Sequence, residues 1–453
     1  MLENTSSGTI EIFLLVTEES FHRVQVAIMT KKLEADRVKA IALFIWAVGT
    51  LFYSYEMLIK SSVASMSFIL MQDYHLDASD LSLVGSLFYC AYVIMQIPAG
   101  VLVDRFGVKK CLSVATLFAA GGTLMYSRSS EFHMFLVARG IMGIGGSFGF
   151  VCALKLASEW FPSRYFPLFA GLTQLLGYLG GAFSGHPLAT LVHNRNWSSV
   201  FMGIALIGFG LTVLTILLVK NRQDRSDLDP EERASVKDTL YQLWALLKQR
   251  QILLNGLYCA CTVGVTFALT DLWGKPGLMT IDQISEGAAS AASNSLVFIG
   301  IAVCSPLWGA MASAVGTNKK LLVLGALMGS VSTLMMLYVP MHVVGLYITG
   351  FLIGAAQSAH VLNFDVVRSL VDEKHTATAI AFLNIFGIGG AAIVQILTGI
   401  CIEAVAAQEP YVASDYKKGL LIIPALFILA FLLSFIMKDK KPAARRTKGT
   451  RTH

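Results

Sequence analysis

Charged residues are scarce in this chain of 453 residues, at 14% of the total, whereas hydrophobic residues make up 55%. Soluble domains usually carry about 25% charged residues, so the composition indicates a membrane protein. The formal net charge is +6, but the charges fall in separate loops between apolar runs rather than on one basic face. The composition therefore excludes both a soluble domain and a nucleic-acid-binding protein.

Signatures of metal, cofactor and nucleotide chemistry are also missing. The seven cysteines lie in or beside apolar runs, and none has CxxC or zinc-ligand spacing, so we interpret them as buried thiols. The chain contains no P-loop, which excludes an ATP-driven machine of that type. It also contains no metal-ligand set and no nucleophile–base pair near an interface. We therefore expect neither a cofactor nor an enzyme.

Long apolar runs recur at the length that a bilayer requires. A spanning helix needs roughly 20 mostly apolar residues, and twelve such runs fall into two sets of six. They cover 40–71, 81–103, 111–128, 133–158, 166–192, 199–219, 252–273, 288–312, 320–339, 342–367, 377–402 and 419–437. We predict an all-α membrane protein of twelve transmembrane helices in two six-helix bundles.

The polar stretches between these runs define the domain boundaries. We predict an N-terminal tail at 1–38, bundles at 39–219 and 251–437, a linker at 220–250 and a basic tail at 438–453. Lysine and arginine concentrate in alternate loops and both tails, whereas the opposite loops carry few. Because positive charge stays on the cytoplasmic side, both termini and the linker are expected there. The linker is interpreted as a solvated connection or as a docking site for a protein.

One connector, Gly100–Lys110, reads G-V-L-V-D-R-F-G-V-K-K and joins the second and third runs. A polar connector this short requires a tight turn at the membrane surface. The pattern G-x-x-x-D-R-x-G-x-[KR]-[KR] resembles the signature of the major facilitator superfamily (MFS) of transporters. The matching positions are Gly100, Asp104, Arg105, Gly107, Lys109 and Lys110.

Two further features carry the same resemblance. Arg139 precedes Gly143, Gly145 and Gly149, as in the fourth helix of the superfamily. A shift of 209 residues maps the turn onto Gly309–Lys319, which retains both glycines and the final lysine. Such a repeat is typical of duplicated, pseudo-symmetric halves with a substrate site between them. The resemblance implies a secondary transporter that works by alternating access, with the turn stabilising one of its two states.

Three segments of the second half are similar to one branch of the superfamily. They read D-L-W-G, A-A-Q-S-A-H-V-L-N-F and A-I-A-F-L-N, and the branch contains bacterial nutrient importers and the lysosomal dipeptide uniporter. The stretch Asp365-Val366-Val367-Arg368 departs from that branch. The fifth run also lacks the Gly-Pro pair of drug antiporters, which argues against drug export.

Charged residues inside the apolar runs mark the candidate site. A charge in the hydrocarbon costs at least about 2.5–3.5 kcal/mol, so it normally faces a cavity or a partner. Glu56 and Lys60 are four residues apart on one face of the first helix and are predicted to pair. Lys60 suits a substrate carboxylate, and Glu56 suits a substrate amine or a proton. The alternative is a self-neutralised pair that only fixes helix packing.

Other polar residues within the runs extend this site. We predict substrate contacts from Tyr53, Glu56, Lys60, Tyr89, Tyr92, Gln96, Gln174, Asn294, His360 and Asn384. We predict proton coupling by Glu56, Arg139, Asp271 and Asp365, with His360 as a relay to Asp365. Alternatively, Arg139 braces helices through backbone carbonyls, His360 packs against one, and the amides join helices.

Two further predictions concern residues near helix ends. Trp273, beside Asp271, is expected to anchor the seventh helix at the membrane interface. Lys155 and Glu159 are expected to form a cytoplasmic gate or an interfacial pair. Lys275 is assigned to a loop on the outer side.

Opposite charges in one cavity favour a zwitterionic substrate. We therefore predict a transporter of a small polar solute, an amino acid or short peptide, by proton symport or facilitated diffusion. Import of an organic anion or sugar acid and export of a siderophore or drug are the alternatives. The expected partners are the solute, protons and the lipid bilayer. The expected form is a monomer in the plasma membrane, which in a bacterium is the inner membrane.

Overall fold

The computed structural model describes residues 40–162, 165–221, 241, 244–371, 376–406 and 410–438. The chain divides into two compact units, Met1–Ala47 and Val48–His453. In the first unit the described residues, 40–47, are helical, and the candidate site lies wholly in the second. The predicted N-terminal tail, most of the predicted linker and nearly all of the basic tail lie outside the described residues.

Helices follow one another along the described ranges, which contain no strand. The first half comprises α1 (Ala40–Asp73), α2 (Ala78–Phe106), α3 (Val108–Ser127), α4 (Phe132–Trp160), α5 (Phe166–Phe183, continued by His186–Asn194) and α6 (Trp197–Leu218). The second comprises α7 (Arg250–Asp282), α8 (Glu286–Val315), α9 (Asn318–Tyr338), α10 (Val343–Arg368), α11 (Thr376–Val405) and α12 (Ala413–Ile436). By length and composition, eleven described helices suffice to cross a membrane, and α5 lies at the position of the predicted fifth span. The predicted fold class is confirmed.

Large apolar side chains cover the outside of the helices. On α6, for example, Leu206, Ile207 and Leu217 are 63%, 61% and 66% exposed. Soluble monomers rarely expose such continuous apolar surface, whereas hydrocarbon accommodates it. The protein is therefore a multi-pass integral membrane protein.

Helix α7 differs most from its predicted bounds. The sequence predicts an end near residue 273, but the helix continues to Asp282 through the helix-breaking residues of Gly274-Lys275-Pro276-Gly277. A π-helical turn, Leu269–Trp273, immediately precedes this stretch. The ring of a proline in a helix interior clashes with the carbonyl four residues earlier, and here that carbonyl belongs to Leu272 in the wider turn. The π-helical turn therefore accommodates Pro276, and α7 continues past it.

The turn motif and its second-half copy each contain a glycine with a positive φ, although their ψ angles differ, at 157° for Gly107 and 17° for Gly316. Gly107 has a φ of +83° and Gly316 a φ of +71°, and no other glycine in the described ranges has a positive φ. The two positions are separated by the predicted repeat interval of 209 residues. Glycine adopts a positive φ without a steric cost. A positive-φ glycine at the same position of each half supports duplicated halves.

The turn after α2 is tied to two other helices of the first half. The side-chain oxygen of Asn221, just after α6, accepts a hydrogen bond of 3.0 Å from the Lys109 backbone N–H. Asn221 thereby caps the N-terminus of α3 from a distant part of the chain. Asp104 at the end of α2 lies 3.1 Å from Lys155 on α4, so Lys155 pairs with Asp104 rather than with the predicted Glu159.

We expect Gly107→Ala to lower the unfolding midpoint more than Gly316→Ala does. Both changes place a Cβ at a positive φ, and the ψ of 157° at Gly107 lies in a region that is essentially restricted to glycine, whereas Gly316 is left-handed. Only at position 107 does the added Cβ also meet Asn221, 2.5 Å from its amide nitrogen, whereas nothing lies within 4 Å at position 316. Thermal unfolding of both variants in the same detergent measures the difference. Equal losses would contradict the expectation that the backbone of Gly107 and its contact with Asn221 make position 107 the more sensitive of the two.

Candidate functional site

A cavity of about 240 Å³ lies between the two halves and is lined by α1, α2, α4 and α5 on one side and by α7, α10 and α11 on the other. Several of the residues that line it are aromatic, including Phe150, Phe267 and Phe364. Its polar and charged lining residues are Tyr53, Glu56, Lys60, Tyr92, Gln174, Tyr178, His360 and Asn384. A largely apolar cavity with a few convergent polar groups is the usual form of a small-molecule site.

Most of the predicted substrate contacts meet in this cavity. Those that line it are Tyr53, Glu56, Lys60, Tyr92, Gln174, His360 and Asn384. Tyr89, Gln96 and Asn294 do not. Asn294 instead joins helices, donating to Ser184 Oγ at 3.2 Å and to the Thr270 carbonyl at 2.9 Å. Sequence reasoning missed Tyr178 and Phe267, because nothing in an apolar helix distinguishes a cavity-lining aromatic from a packed one.

Glu56 and Lys60 both face the cavity but do not form the predicted ion pair. Lys60 Nζ instead lies 4.2 Å from the centroid of the Phe267 ring and 2.9 Å from the Met57 sulfur. Glu56 Oε2 is buried without a hydrogen-bond partner, and the two residues are only 1% and 3% exposed. In the described part of the chain, no salt bridge joins them. The ring draws the ammonium towards α7 through a cation–π contact, so both groups remain available to a ligand.

Arg139 is buried outside the cavity and holds α1 and α2 together. Its guanidinium donates to the carbonyls of Ile59, Lys60, Val84 and Gly85 at 2.8–3.3 Å. A guanidinium has five N–H donors in a fixed fork, which suits this role. The geometry favours the bracing alternative, in which Arg139 fixes the backbone that carries Lys60. A role in proton coupling stays a prediction.

Asp271 links the two halves near the predicted outer end. Its Oδ2 accepts a hydrogen bond from Tyr89 Oη of the first half, and its Oδ1 accepts one of 2.6 Å from Thr270. Trp273 beside it is fully buried and donates from Nε1 to the Gln395 carbonyl at 3.0 Å. The prediction that Trp273 anchors the chain at the interface is therefore wrong, because α7 continues for two more turns.

His360 borders the cavity and also makes the contact expected of a packing residue. Its Nδ1 lies 3.0 Å from the Gln357 carbonyl oxygen and 3.4 Å from Gln357 Nε2. Asp365 is exposed and does not line the cavity. Among the residues described, no hydrogen bond joins His360 to Asp365, so the predicted relay between them has no direct geometric support.

Contacts between the two halves cluster at the end that the charge distribution places outside. Within the described ranges, hydrogen bonds or ion pairs join Ser65 to Lys275, Ala78 to Tyr411, Ser79 to Glu403, Ala182 to Ser295, Ser184 to Asn294, His186 to Ser295 and His193 to Glu286, besides Tyr89 to Asp271. The cavity extends away from this end, towards Phe166 and Ile380 at the starts of α5 and α11. The structure is therefore closed at its predicted outer end.

Lys275 is the residue of this closure that sequence reasoning misplaced. It is 1% exposed, and its Nζ lies 2.5 Å from Glu286 and 3.0 Å from the Ser65 carbonyl oxygen. The predicted helix end near residue 273 placed it in an exposed loop. Lys275 is buried because α7 continues through Pro276. The residues around Pro276 do not predict that continuation.

We expect Tyr89→Phe to shift the protein towards a state that is open at the outer end. The change leaves the buried Asp271 carboxylate without its partner from the other half. Hydrogen bonds to charged groups contribute about 1.5–3 kcal/mol, which corresponds to a shift in the ratio of states of about tenfold or more. Distances between spin labels at His75 and Gln283, in the loops after α1 and α7, measure it in a background without native cysteines.

Tyr126→Phe is the matched control, because the Tyr126 hydroxyl is buried in the first half without a hydrogen-bond partner. A longer-distance population is expected only for the change at position 89. Identical distance distributions for the two variants would mean that the Tyr89–Asp271 hydrogen bond does not help to hold the outer end closed.

Comparison with known proteins yields a family and several distant relatives. The family model described as Major Facilitator Superfamily matches residues 46–279 and 275–452. The chain is 28% identical over 174 residues to the "Probable sulfoacetate transporter SauU" of Cupriavidus necator, covering 38% of this chain and 40% of the relative. It is 27% identical over 164 residues to the "Probable L-galactonate transporter" of Escherichia coli, covering 36% of each. The chain thus spans well under two thirds of the length of these relatives.

A third relative is "Protein spinster homolog 1" of Xenopus tropicalis, 25% identical over 270 residues, covering 56% of this chain and 50% of the relative. Among solved structures, a bacterial homolog of the human lysosomal transporter Spinster, in an inward-facing and unoccupied conformation, has a TM-score of 0.70 at 15% identity, covering 88% of this chain and 98% of that one. A mutant of the nucleoside transporter NupG has a TM-score of 0.71 at 14% identity, covering 88% and 99%. At such identities the likeness shows the fold alone. The family match, the twelve helices and the turn after α2 together establish that this chain belongs to the major facilitator superfamily.

Proposed function

We propose that this protein is a secondary transporter, not an enzyme, and that it imports a small organic anion of the sugar-acid class by alternating access. The observation that carries the proposal is the Lys60 ammonium. It is buried, faces the cavity between the halves and has no carboxylate within 4.0 Å among the described residues. A buried cation is stabilised by an anion in direct contact with it, and a substrate carboxylate would supply that contact.

The relatives support an anionic substrate. Their names refer to sulfoacetate, L-galactonate and, in a further Escherichia coli relative, galactarate and D-glucarate. The cavity volume of about 240 Å³ falls below the usual range for drug-sized ligands and suits a compact solute. Gln174, Asn384 and the tyrosine hydroxyls offer hydrogen bonds to substrate hydroxyls. These observations favour an organic anion over the predicted amino acid or short peptide and disfavour a siderophore.

A zwitterionic amino acid is the second candidate, and one observation favours it. Glu56 Oε2 lies on the same cavity without a hydrogen-bond partner, and it would accept hydrogen bonds from a substrate ammonium group. If the substrate is an anion, we propose that Glu56 instead binds and releases the coupling proton. The proposed location is the plasma membrane, with both termini in the cytoplasm.

Uptake by proteoliposomes tests the substrate class. The panel pairs galactonate, glucarate and sulfoacetate with uncharged sugar alcohols of similar size, and adds amino acids and dipeptides. We expect saturable uptake of an acid, stimulated by a pH gradient that is acidic outside. Preferred uptake of an amino acid would select the second candidate, and equal uptake of a neutral sugar alcohol would contradict both.

A further inference from the structure

A second concave surface lies on the outside of the first half. This inner groove, of about 320 Å³, runs between α2, α3 and α4 and shares no lining residue with the cavity between the halves. Its lining consists of Met95, Leu102, Phe106, Lys110, Cys111, Val114, Ala115, Phe118, Ile144, Gly145 and Phe148. Lys110 is the one charged residue among them. The inner groove is therefore an apolar trough with a cation at one end.

The floor and walls of the inner groove differ in exposure. Ala115 and Phe148 on the floor are 2% and 7% exposed, whereas Phe106, Val114 and Phe118 on the walls are 48%, 55% and 43% exposed. From Lys110 to Phe118 the trough follows α3 for about 12 Å, at 1.5 Å per residue. An open apolar trough of this length on a membrane-spanning helix matches part of an extended acyl chain.

Positive charge collects at the Lys110 end of the inner groove. Arg105, Lys109 and Lys110 all belong to the turn between α2 and α3. The acidic residue of that turn, Asp104, lies 3.1 Å from Lys155 and is already compensated. The turn therefore presents net positive charge at the depth where lipid headgroups lie. Anionic lipids of the cytoplasmic leaflet are attracted to basic residues in that position.

We propose that the inner groove binds an anionic phospholipid of the inner leaflet, with one acyl chain between α2, α3 and α4 and the headgroup phosphate on Lys110. The equivalent lysine of the second half, Lys319, makes a different contact. Lys319, which the 209-residue shift places opposite Lys110, donates a hydrogen bond of 2.7 Å to the Phe435 carbonyl. In the first half, Lys110 extends from the turn beside an open trough.

Lipid titration of the purified full-length protein tests the headgroup contact. Binding of phosphatidylglycerol and phosphatidylcholine is compared by native mass spectrometry or by fluorescence of labelled lipid. We expect a preference for phosphatidylglycerol, and a loss of about fivefold in its affinity for Lys110→Gln, equivalent to about 1 kcal/mol for one basic residue. Lys320→Gln, an exposed lysine beside the second-half turn, is expected to leave the affinity unchanged.

Two tryptophan variants on α3 test the contact with the acyl chain of the lipid. Val114→Trp fills the inner groove and is expected to weaken binding of both lipids, whereas Leu117→Trp, at an exposed position outside the lining, is not. The unfolding midpoint without added lipid verifies that each variant is folded. Equal losses for Lys110→Gln and Lys320→Gln, no preference for phosphatidylglycerol, or equal binding by the two tryptophan variants would each overturn the proposal.

Discussion

Lys60→Gln is expected to lower the affinity for the transported anion by at least about tenfold. Charge-assisted hydrogen bonds contribute about 1.5–3 kcal/mol, and each 1.4 kcal/mol is a factor of ten. Lys60 is the lysine that lines the cavity, and its Nζ contacts the Phe267 ring and the Met57 sulfur. A glutamine at this position offers a neutral donor and no compensation for a carboxylate. Isothermal titration of the purified variant with the substrate measures the loss.

Two controls separate charge from packing at this position. Lys60→Arg retains the positive charge and is expected to retain more affinity than the glutamine variant. Lys320→Gln removes an exposed lysine far along the chain and is expected to leave affinity unchanged. Wild-type affinity in Lys60→Gln would remove the main support for an anionic substrate.

Glu56→Gln is expected to abolish accumulation driven by a pH gradient while substrate exchange continues. Glutamine has nearly the shape of glutamate but cannot take up and release a proton. Because Glu56 Oε2 has no hydrogen-bond partner in the structure, the substitution removes no internal hydrogen bond of that atom. Counterflow in proteoliposomes measures exchange, and uptake against a concentration gradient measures coupling.

Asp365→Asn is the matched control for coupling. Asp365 on α10 is another carboxylate predicted to couple protons, but it is exposed and outside the cavity, so accumulation is expected to continue. Loss of both exchange and binding in Glu56→Gln would indicate that Glu56 binds a substrate ammonium group, as the second candidate requires. Unchanged accumulation would reduce Glu56 to a packing residue.

The fold was predictable because each membrane-spanning helix requires roughly 20 mostly apolar residues, and such runs are visible in the sequence. Twelve apolar runs, the turn at Gly107 and its copy at Gly316 define two halves in the sequence alone. The end of α7 was not predictable, since Pro276 normally stops a helix and here follows a π-helical turn that accommodates it. Such a turn depends on neighbouring helices, and local propensity does not encode it.

The candidate site was predictable for those residues whose charge would be unfavourable in the hydrocarbon. A charge inside an apolar run is expensive, which identified Glu56 and Lys60 as cavity residues. The same argument identified Arg139 as significant but did not reveal its four carbonyl partners, because these lie 54–80 residues away along the chain. The assignment of Lys275 to an outer loop was wrong because its burial follows from tertiary packing at the outer end.

Labelling of Asn384→Cys tests the central claim, that the buried charges face a chamber between the halves that opens to each side in turn. Asn384 lines the cavity opposite Lys60, and its cysteine variant is prepared in a background without native cysteines. In the outer-closed state, a membrane-impermeant maleimide should label it from the cytoplasmic side, and bound substrate should slow the reaction. Absence of labelling from either side, or a rate that substrate leaves unchanged, would contradict the account.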